Sequence, residues 1–191
     1  MGGSAGPPIR RFLGALMDFV FAGYRVTSVE TGLVSMSDCI VDVTGADSFG
    51  WETFFDDRAS AEQASAAAPG THVFAVGFCR DDIPALLDDL QKEEPIAAAG
   101  MPDRLRAAEP VPEGDVLGCE LVGWDPGWGA WHTWRCLDLV DDVGAATGVV
   151  PGEHGLIQDV QQTRSAARWL TASMLGDPKV FLWVAALLVR H

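Results

Sequence analysis

The residue types best suited to chemistry lie close together between Gly118 and Cys136. This stretch carries four of the seven tryptophans and two of the four cysteines of the 191-residue chain, together with His132. His132 and Cys136 are four positions apart, and a thiol beside an imidazole is the pair that nucleophilic cysteine chemistry requires. Asp125 is a carboxylate that could orient the base. No oxyanion-hole motif or nucleophile elbow accompanies these residues, so they are only weak catalytic candidates.

Two further arrangements of the same residue types remain open. His154 could replace His132 as the base, with the adjacent Glu153 orienting it. Asp125 and His154 could also join His132 and Cys136 in a tetrahedral metal set. Only two of those four ligands have a suitable spacing, however, and a stable site needs a complete set. The sequence therefore predicts no metal site and no cofactor.

The tryptophans of this stretch allow a second type of site. Trp124 and Trp134 fit a core position, whereas Trp128 stands between Gly127 and Gly129 and is the best candidate for an exposed anchor. An exposed aromatic segment would stack on a ring, a sugar or a cation. The predicted binding set is Trp128, Trp131, His132, Trp134, Glu153 and His154.

Charge restricts the classes of partner. The chain has 13 Lys and Arg against 27 Asp and Glu, a net charge of −14, and its sequence pI is about 4.4. Such a surface repels nucleic-acid phosphates and anionic lipids. It favours encounter with a basic protein. We expect a basic protein partner, and neither nucleic acid nor membrane.

Targeting features and the spacing of the cysteines indicate the cellular compartment. Arg10-Arg11 faintly resembles an export signal, but Asp18 interrupts the apolar run behind it. The longest uncharged apolar run, Val180–Val189, is too short to span a bilayer. No Cys-x-x-Cys pair occurs, and the neighbours of the four cysteines favour free thiols. We expect a cytoplasmic, soluble protein.

Periodicity predicts alternating helices and strands. A helix is expected from Ile9, ended by a left-handed cap at Gly23. The other predicted helices are Ala59–Ala68, Ile83–Gln91, Leu137–Val143 and Leu156–Leu175. The predicted strands are Tyr24–Val29, Val73–Phe78, Val116–Trp124 and Val180–Val189.

The two halves of the chain resemble each other. Gly23–Gly32 and Gly118–Gly127 are ten-residue segments with glycine at each end, and in each half a helix and a strand follow in the same order. The predicted fold is α+β, with pseudo-duplicated strand–helix–strand repeats in a mostly antiparallel sheet and helices mainly on one face. The expected organisation is a first repeat at 1–94, a linker at 95–114 and a second repeat at 115–191.

Composition and the absence of catalytic motifs favour a non-enzymatic function. The predicted function is an acidic module that docks on or neutralises a basic protein, as immunity proteins and regulators do. The alternative is an enzyme or small-ligand binder with a Trp/His/Cys pocket in the second repeat. The segment Trp128–Trp134, which the first repeat lacks, is the predicted location of function in either case.

Overall fold

An antiparallel sheet with helices packed against it forms the body of the molecule. The computed structural model describes residues 16–28, 32–37, 54–90, 100–125, 130–175 and 182–191. Within them, five strands follow the spatial order β1-β2-β5-β3-β4, and every neighbouring pair is antiparallel. The strands are β1 Phe19–Ser28, β2 Thr71–Cys79, β3 Asp115–Asp125, β4 Ala130–Thr133 and β5 Trp183–Arg190. The predicted α+β class and the antiparallel sheet are confirmed.

Five α-helices are present in the same part of the chain. They are α1 Arg58–Ala67, α2 Ile83–Leu90, α3 Met101–Ala107, α4 Val140–Thr147 and α5 Val160–Ser173. Asp57 caps α1 by accepting a hydrogen bond from the Ser60 N–H at 2.9 Å. Asp159 caps α5 through the amides of Gln161 and Gln162. A carboxylate at this position satisfies amides that have no partner within the helix and interacts favourably with the helix dipole.

Alternation along the central strands creates two apolar faces. In β2, Phe74, Val76 and Phe78 face one core cluster, while Val73, Ala75 and Cys79 face another. The first cluster contains side chains from α2 and α3, and the second contains side chains from α1 and α5. A third cluster unites α4 and α5 with Trp134 and Trp183. Helices therefore cover both faces of the sheet, with three on one face and two on the other, rather than mainly one.

The start of β1 corrects the sequence prediction at Gly23. Helical spacing favoured a helix through Val20, but Phe19–Ser28 is a strand and Gly23 lies at its β-bulge with a φ of +144°. Phe19 and Phe21 pack on one face of the sheet, and Val20 packs on the other. An apolar run that is buried on both faces of a sheet has apolar residues at the helical spacing as well as at the strand spacing. The local pattern therefore does not distinguish a strand from a helix here. Residues 9–15 lie outside the described residues.

The bulges of β1 and β3 share the same local geometry. Gly118 in β3 has a φ of +142° and also lies at a bulge. The residue after each glycine exchanges two backbone hydrogen bonds with a residue that closely precedes a helix. These pairs are Tyr24 with Phe55, before α1, and Cys119 with Ile157, before α5.

The segment expected to be a linker contains a helix. α3 lies within residues 95–114 and packs against β1, and Glu109 accepts a hydrogen bond from the Phe21 N–H at 2.8 Å. Residues 91–99 are outside the described residues. No helix in the described ranges is long and apolar enough to cross a membrane.

Candidate functional site

Three of the predicted catalytic residues meet where β3 and β4 pair. Asp125 is the last residue of β3 and His132 is the third residue of β4. The register pairs Asp125 with Ala130 and Gly123 with His132, so the carboxylate and the imidazole lie diagonally across the two strands on one face. Cys136 follows in the turn after β4. The strand pairing thus assembles a carboxylate, an imidazole and a thiol within twelve residues of chain.

The imidazole of His132 lies between the other two groups. Its Nε2 is 3.4 Å from Oδ2 of Asp125, and its Nδ1 is 3.6 Å from Sγ of Cys136. Asp125 is fully buried, and the His132 side chain is 15% exposed. Catalytic hydrogen bonds are often this long in unliganded sites and shorten when substrate binds. The arrangement has the order of a Cys–His–Asp triad: nucleophile, base and orienting carboxylate.

The turn around Cys136 also directs donors at the sulfur. The backbone N–H of Thr133 donates to Sγ at 3.2 Å, and the thiol can donate to the Thr133 carbonyl at the same distance. The Thr133 hydroxyl accepts from the Cys136 N–H at 3.3 Å, which closes the turn. Ser37, from a distant part of the chain, is among the groups that lower the pKa of this thiol. Sequence reasoning did not identify Thr133 or Ser37, and only the compact Thr133–Cys136 spacing gave a local signal.

The pKa values of the pair move in the directions that proton transfer requires. Burial alone would raise the pKa of the Cys136 thiol, but hydrogen bonds from His132, Ser37 and the Thr133 backbone outweigh burial and lower it. The hydrogen bond to Cys136 raises the pKa of His132, against the opposing effect of burial, and Asp125 raises it further. Both shifts favour a thiolate beside an imidazolium.

His154 and Glu153 lie elsewhere in the fold. His154 has a φ of +57° in a short 3₁₀ turn, and its Nδ1 is 3.0 Å from the carbonyl oxygen of Gly32. Its Nε2 lies 3.7 Å from Oε1 of the exposed Glu153. The imidazole therefore pairs with a backbone carbonyl and a surface carboxylate, while the contact with Cys136 is made by His132. Of the two histidines that the sequence offered as a base, His132 is therefore the one in contact with Cys136.

The tryptophans of the predicted binding set are part of the core. Trp131 is fully buried, stacks on Phe78 with ring centroids 5.3 Å apart, and meets Phe54 edge to face. Trp134 is fully buried on the other face of the sheet, among side chains that include Trp183. A ring enclosed on both faces offers no stacking surface to a ligand, so Trp131 and Trp134 do not form the expected aromatic platform. Trp128 lies outside the described residues.

Comparison with known proteins gives no family for this chain. No protein-family model, no curated protein and no solved structure matches it. No group of three or more His, Cys, Asp or Glu side chains within the described ranges is arranged to hold a metal ion. The geometry of Asp125, His132 and Cys136 is therefore the main indication of function.

Proposed function

We propose that the protein is a cysteine-dependent acyl-transfer enzyme with Cys136 as nucleophile, His132 as general base and Asp125 as the orienting group. The observation that carries this proposal is the unbroken contact sequence from Oδ2 of Asp125 through the imidazole to Sγ of Cys136, at 3.4 Å and 3.6 Å. The alternative is that Cys136 is only a small apolar side chain of the core. A cysteine in that role needs neither an imidazole beside its thiol nor a carboxylate beside that imidazole.

In the proposed reaction, Nδ1 of His132 takes the thiol proton, and the resulting Sγ thiolate attacks a carbonyl carbon. Nε2–H of the imidazolium then donates to Asp125, which fixes the ring and stabilises its positive charge. The imidazolium returns a proton to the leaving alcohol, amine or thiol as the carbon–heteroatom bond breaks. Water activated by the same imidazole then hydrolyses the thioester and restores the thiol. The substrate class is an ester, thioester or amide with an accessible carbonyl group.

The partly exposed position of Cys136 distinguishes it from the other described thiols. Cys79 and Cys119 are buried, whereas Cys136 is of intermediate exposure. Burial raises the pKa of the Cys79 thiol and raises that of Cys119 to about 12. Only a thiolate attacks efficiently, so Cys136 is the described cysteine that we expect to react.

Acylation by p-nitrophenyl acetate tests this function. We expect a burst of nitrophenolate followed by slower turnover, with one acetyl group on Cys136 in the peptide map. Cys136→Ala should abolish both phases, and Cys79→Ala is the matched thiol control that should retain them. The proposal would be wrong if Cys136→Ala kept the burst, or if the acetyl group were found on another residue of the wild-type protein.

A second proposal, binding of a basic protein, is supported by the net charge of −14, which the burial of charged side chains does not remove. Arg25 and Arg104 are buried, and Arg104 is engaged by the Ala22 carbonyl and Asp56. Arg135 pairs with the buried Glu120. Asp89, Glu120 and Asp125 are buried as well, so the charges withdrawn from solvent in the described residues nearly cancel, and the acidic excess behind the net charge of −14 is carried by other residues.

Ionic-strength-dependent capture tests the second proposal. Immobilised protein should retain a basic partner from lysate of its own cell in stoichiometric amount at low salt and release it as salt rises, because a surface charge interaction is screened. Asp141→Asn with Asp142→Asn, at two exposed positions of α4, should weaken retention, while Cys136→Ala should not. Retention that is insensitive to both salt and the α4 variant would contradict a role for surface charge.

We also propose that the two halves arose by internal duplication. Matching φ values at the bulge glycines Gly23 and Gly118 support it, as do the equivalent aspartate caps of α1 and α5. The order of elements also matches: α1 lies between β1 and β2 in the chain, and α5 lies between β3 and β5. The last strands of the two halves, β2 and β5, are neighbours in the sheet. The Asp125–His132–Cys136 site belongs to the second half alone.

A further inference from the structure

The nucleophile of the proposed site lies outside the strand pairing that holds its two partners. Asp125 belongs to β3 and His132 to β4, so the β3–β4 register fixes the positions of both. Cys136 belongs to the turn at residues 134–138, which follows β4. The 3.6 Å distance between its Sγ and Nδ1 of His132 therefore depends on the contacts that hold this turn.

Backbone hydrogen bonds fix the course of the turn. The Trp134 N–H donates to the Leu121 carbonyl at 3.1 Å, which ties the start of the turn to β3. The Asp138 N–H donates to the Arg135 carbonyl at 3.1 Å, and the Leu139 N–H donates to the Trp134 carbonyl at 2.8 Å. These last two bonds close the turn on itself, so its further attachment to the sheet comes from side chains.

A buried ion pair supplies a second attachment to β3. Glu120 of β3 is fully buried, and its Oε1 accepts from Nε and Nη2 of Arg135 at 3.2 Å and 2.7 Å. The same carboxylate accepts from the Ser35 hydroxyl at 3.1 Å and from the Met36 N–H at 2.7 Å. The guanidinium also donates to the Val34 carbonyl. A planar guanidinium that is bound to two acceptors at once is held in one orientation.

The ion pair and the catalytic groups lie on opposite faces of the sheet. Glu120 and Asp125 are five positions apart in one strand, so their side chains point to opposite faces. Glu120 shares its face with residues of the first core cluster, and Asp125 shares its face with residues of the third. Arg135 therefore reaches one face, while the thiol of the next residue, Cys136, contacts His132 on the other.

We propose that Glu120 and Arg135 are positioning residues for Cys136: their ion pair fixes the turn on one face of the sheet, so that the thiol points at His132 on the other. This inference rests on the proposed function, because a reacting thiol needs a fixed direction toward its base. A displacement of about 1 Å at a reacting group can slow a reaction about 100-fold. A buried ion pair contributes little net stability compared with an apolar pair, so fixed geometry is the role that suits it here.

The rate of carbamidomethylation of Cys136 by iodoacetamide, measured against pH, tests the inference. Arg135→Lys keeps the positive charge but replaces the planar fork by a single ammonium group, which cannot reproduce the orientation that Glu120 and Val34 impose. We expect the midpoint of the profile to move to higher pH, because the thiol is held less closely against the imidazole. Alkylation below the midpoint should slow about two- to fourfold.

The same substitution at another buried arginine is the matched control. Arg104 also binds a carboxylate and a backbone carbonyl, those of Asp56 and Ala22. Arg104→Lys should lower the melting temperature but leave the alkylation profile of Cys136 unchanged, because the ion pair of Arg104 is made in the first half of the sheet. A shift of equal size in this control would overturn the inference, since the profile would then report a general loss of stability.

A double variant keeps the test decisive if Arg135→Lys does not fold. Glu120→Gln with Arg135→Met removes both charges together, so no unpaired charge is buried, and the glutamine oxygen can still accept from Met36. This variant should also move the midpoint to higher pH. Profiles that superimpose on the wild type would overturn the inference, and so would a shift in the double variant when Arg135→Lys shows none, because charge rather than geometry would then act on the thiol.

The proposed function is judged separately, by the nitrophenolate burst of the wild-type protein. Absence of the burst would refute acyl transfer, whereas shifted alkylation profiles would still show that the ion pair positions Cys136. A burst from Cys136 together with unchanged profiles for the Arg135 variants would leave acyl transfer standing and overturn the positioning role.

Discussion

Replacement of Asp125 by asparagine isolates the electrostatic contribution of the third group of the site. The amide is nearly the same size as the carboxylate, so the 3.4 Å contact with Nε2 of His132 can persist while the negative charge is lost. A hydrogen bond to a charged group contributes about 1.5 to 3 kcal/mol, and one pKa unit corresponds to about 1.4 kcal/mol. Loss of that stabilisation from the imidazolium should raise the pKa of the paired Cys136 thiol by about one to two units.

The expected change in rate is smaller than the change in thiolate population. A rise of that size lowers the thiolate fraction about 10- to 100-fold below the midpoint, but a more basic thiolate is also more nucleophilic, with a Brønsted coefficient of about 0.4 to 0.5. The two effects together predict that Asp125→Asn slows alkylation about three- to fifteenfold at low pH. Above the midpoints of both proteins the variant should react faster than the wild type, because its thiolate is then fully formed and more basic.

Iodoacetamide is a suitable probe because it is small and uncharged, and a profile from about pH 5 to about pH 10 covers the ordinary titration ranges of both His and Cys. The diagnostic result is a crossing of the two rate profiles. Superimposable profiles would show that Asp125 does not act on the imidazole, and parallel profiles with no crossing would indicate a change in access to the sulfur. Circular dichroism of the variant serves as the folding control.

The remaining predictions concern the core and backbone. Trp131→Ala should lower the free energy of unfolding by about 3 to 5 kcal/mol, because it removes a fully buried ring stacked on Phe78; urea unfolding measures the loss, and a value under about 1 kcal/mol would contradict the packing described. Gly118→Ala should destabilise the protein more than Gly148→Ala in the same assay: both glycines have positive φ, but an added Cβ meets atoms within 3.0 Å only at Gly118. Equal losses of unfolding free energy in the two variants would show that backbone strain alone, and not the steric contact of the added Cβ, determines the destabilisation. Cys119, whose pKa burial raises to about 12, should resist iodoacetamide at about pH 9 until urea unfolds the protein, and labelling of the native state would contradict its burial.

Local pattern predicted the regular elements wherever one periodicity dominated. Alanine-rich 59–68 and amphipathic 83–91 correspond to α1 and α2, and the apolar runs at 73–78 and 116–124 correspond to β2 and β3. The prediction failed at Phe19–Gly23 because burial on both faces of the sheet removes the alternation that distinguishes a strand. The sequence likewise indicated that Asp125, His132 and Cys136 could form a site, since all three are close in the chain.

Contacts across long sequence separations were decided by the tertiary structure alone. Ser35 and Glu120 are 85 positions apart, and no local pattern relates this serine to a buried glutamate in β3. The contact of His132 with Asp125 depends on the β3–β4 register, and the burial of Trp131 and Trp134 depends on which faces of the sheet the helices cover. Composition and spacing determine which residues are able to react, whereas strand register and packing determine which of them meet, because these follow from pairing between distant parts of the chain.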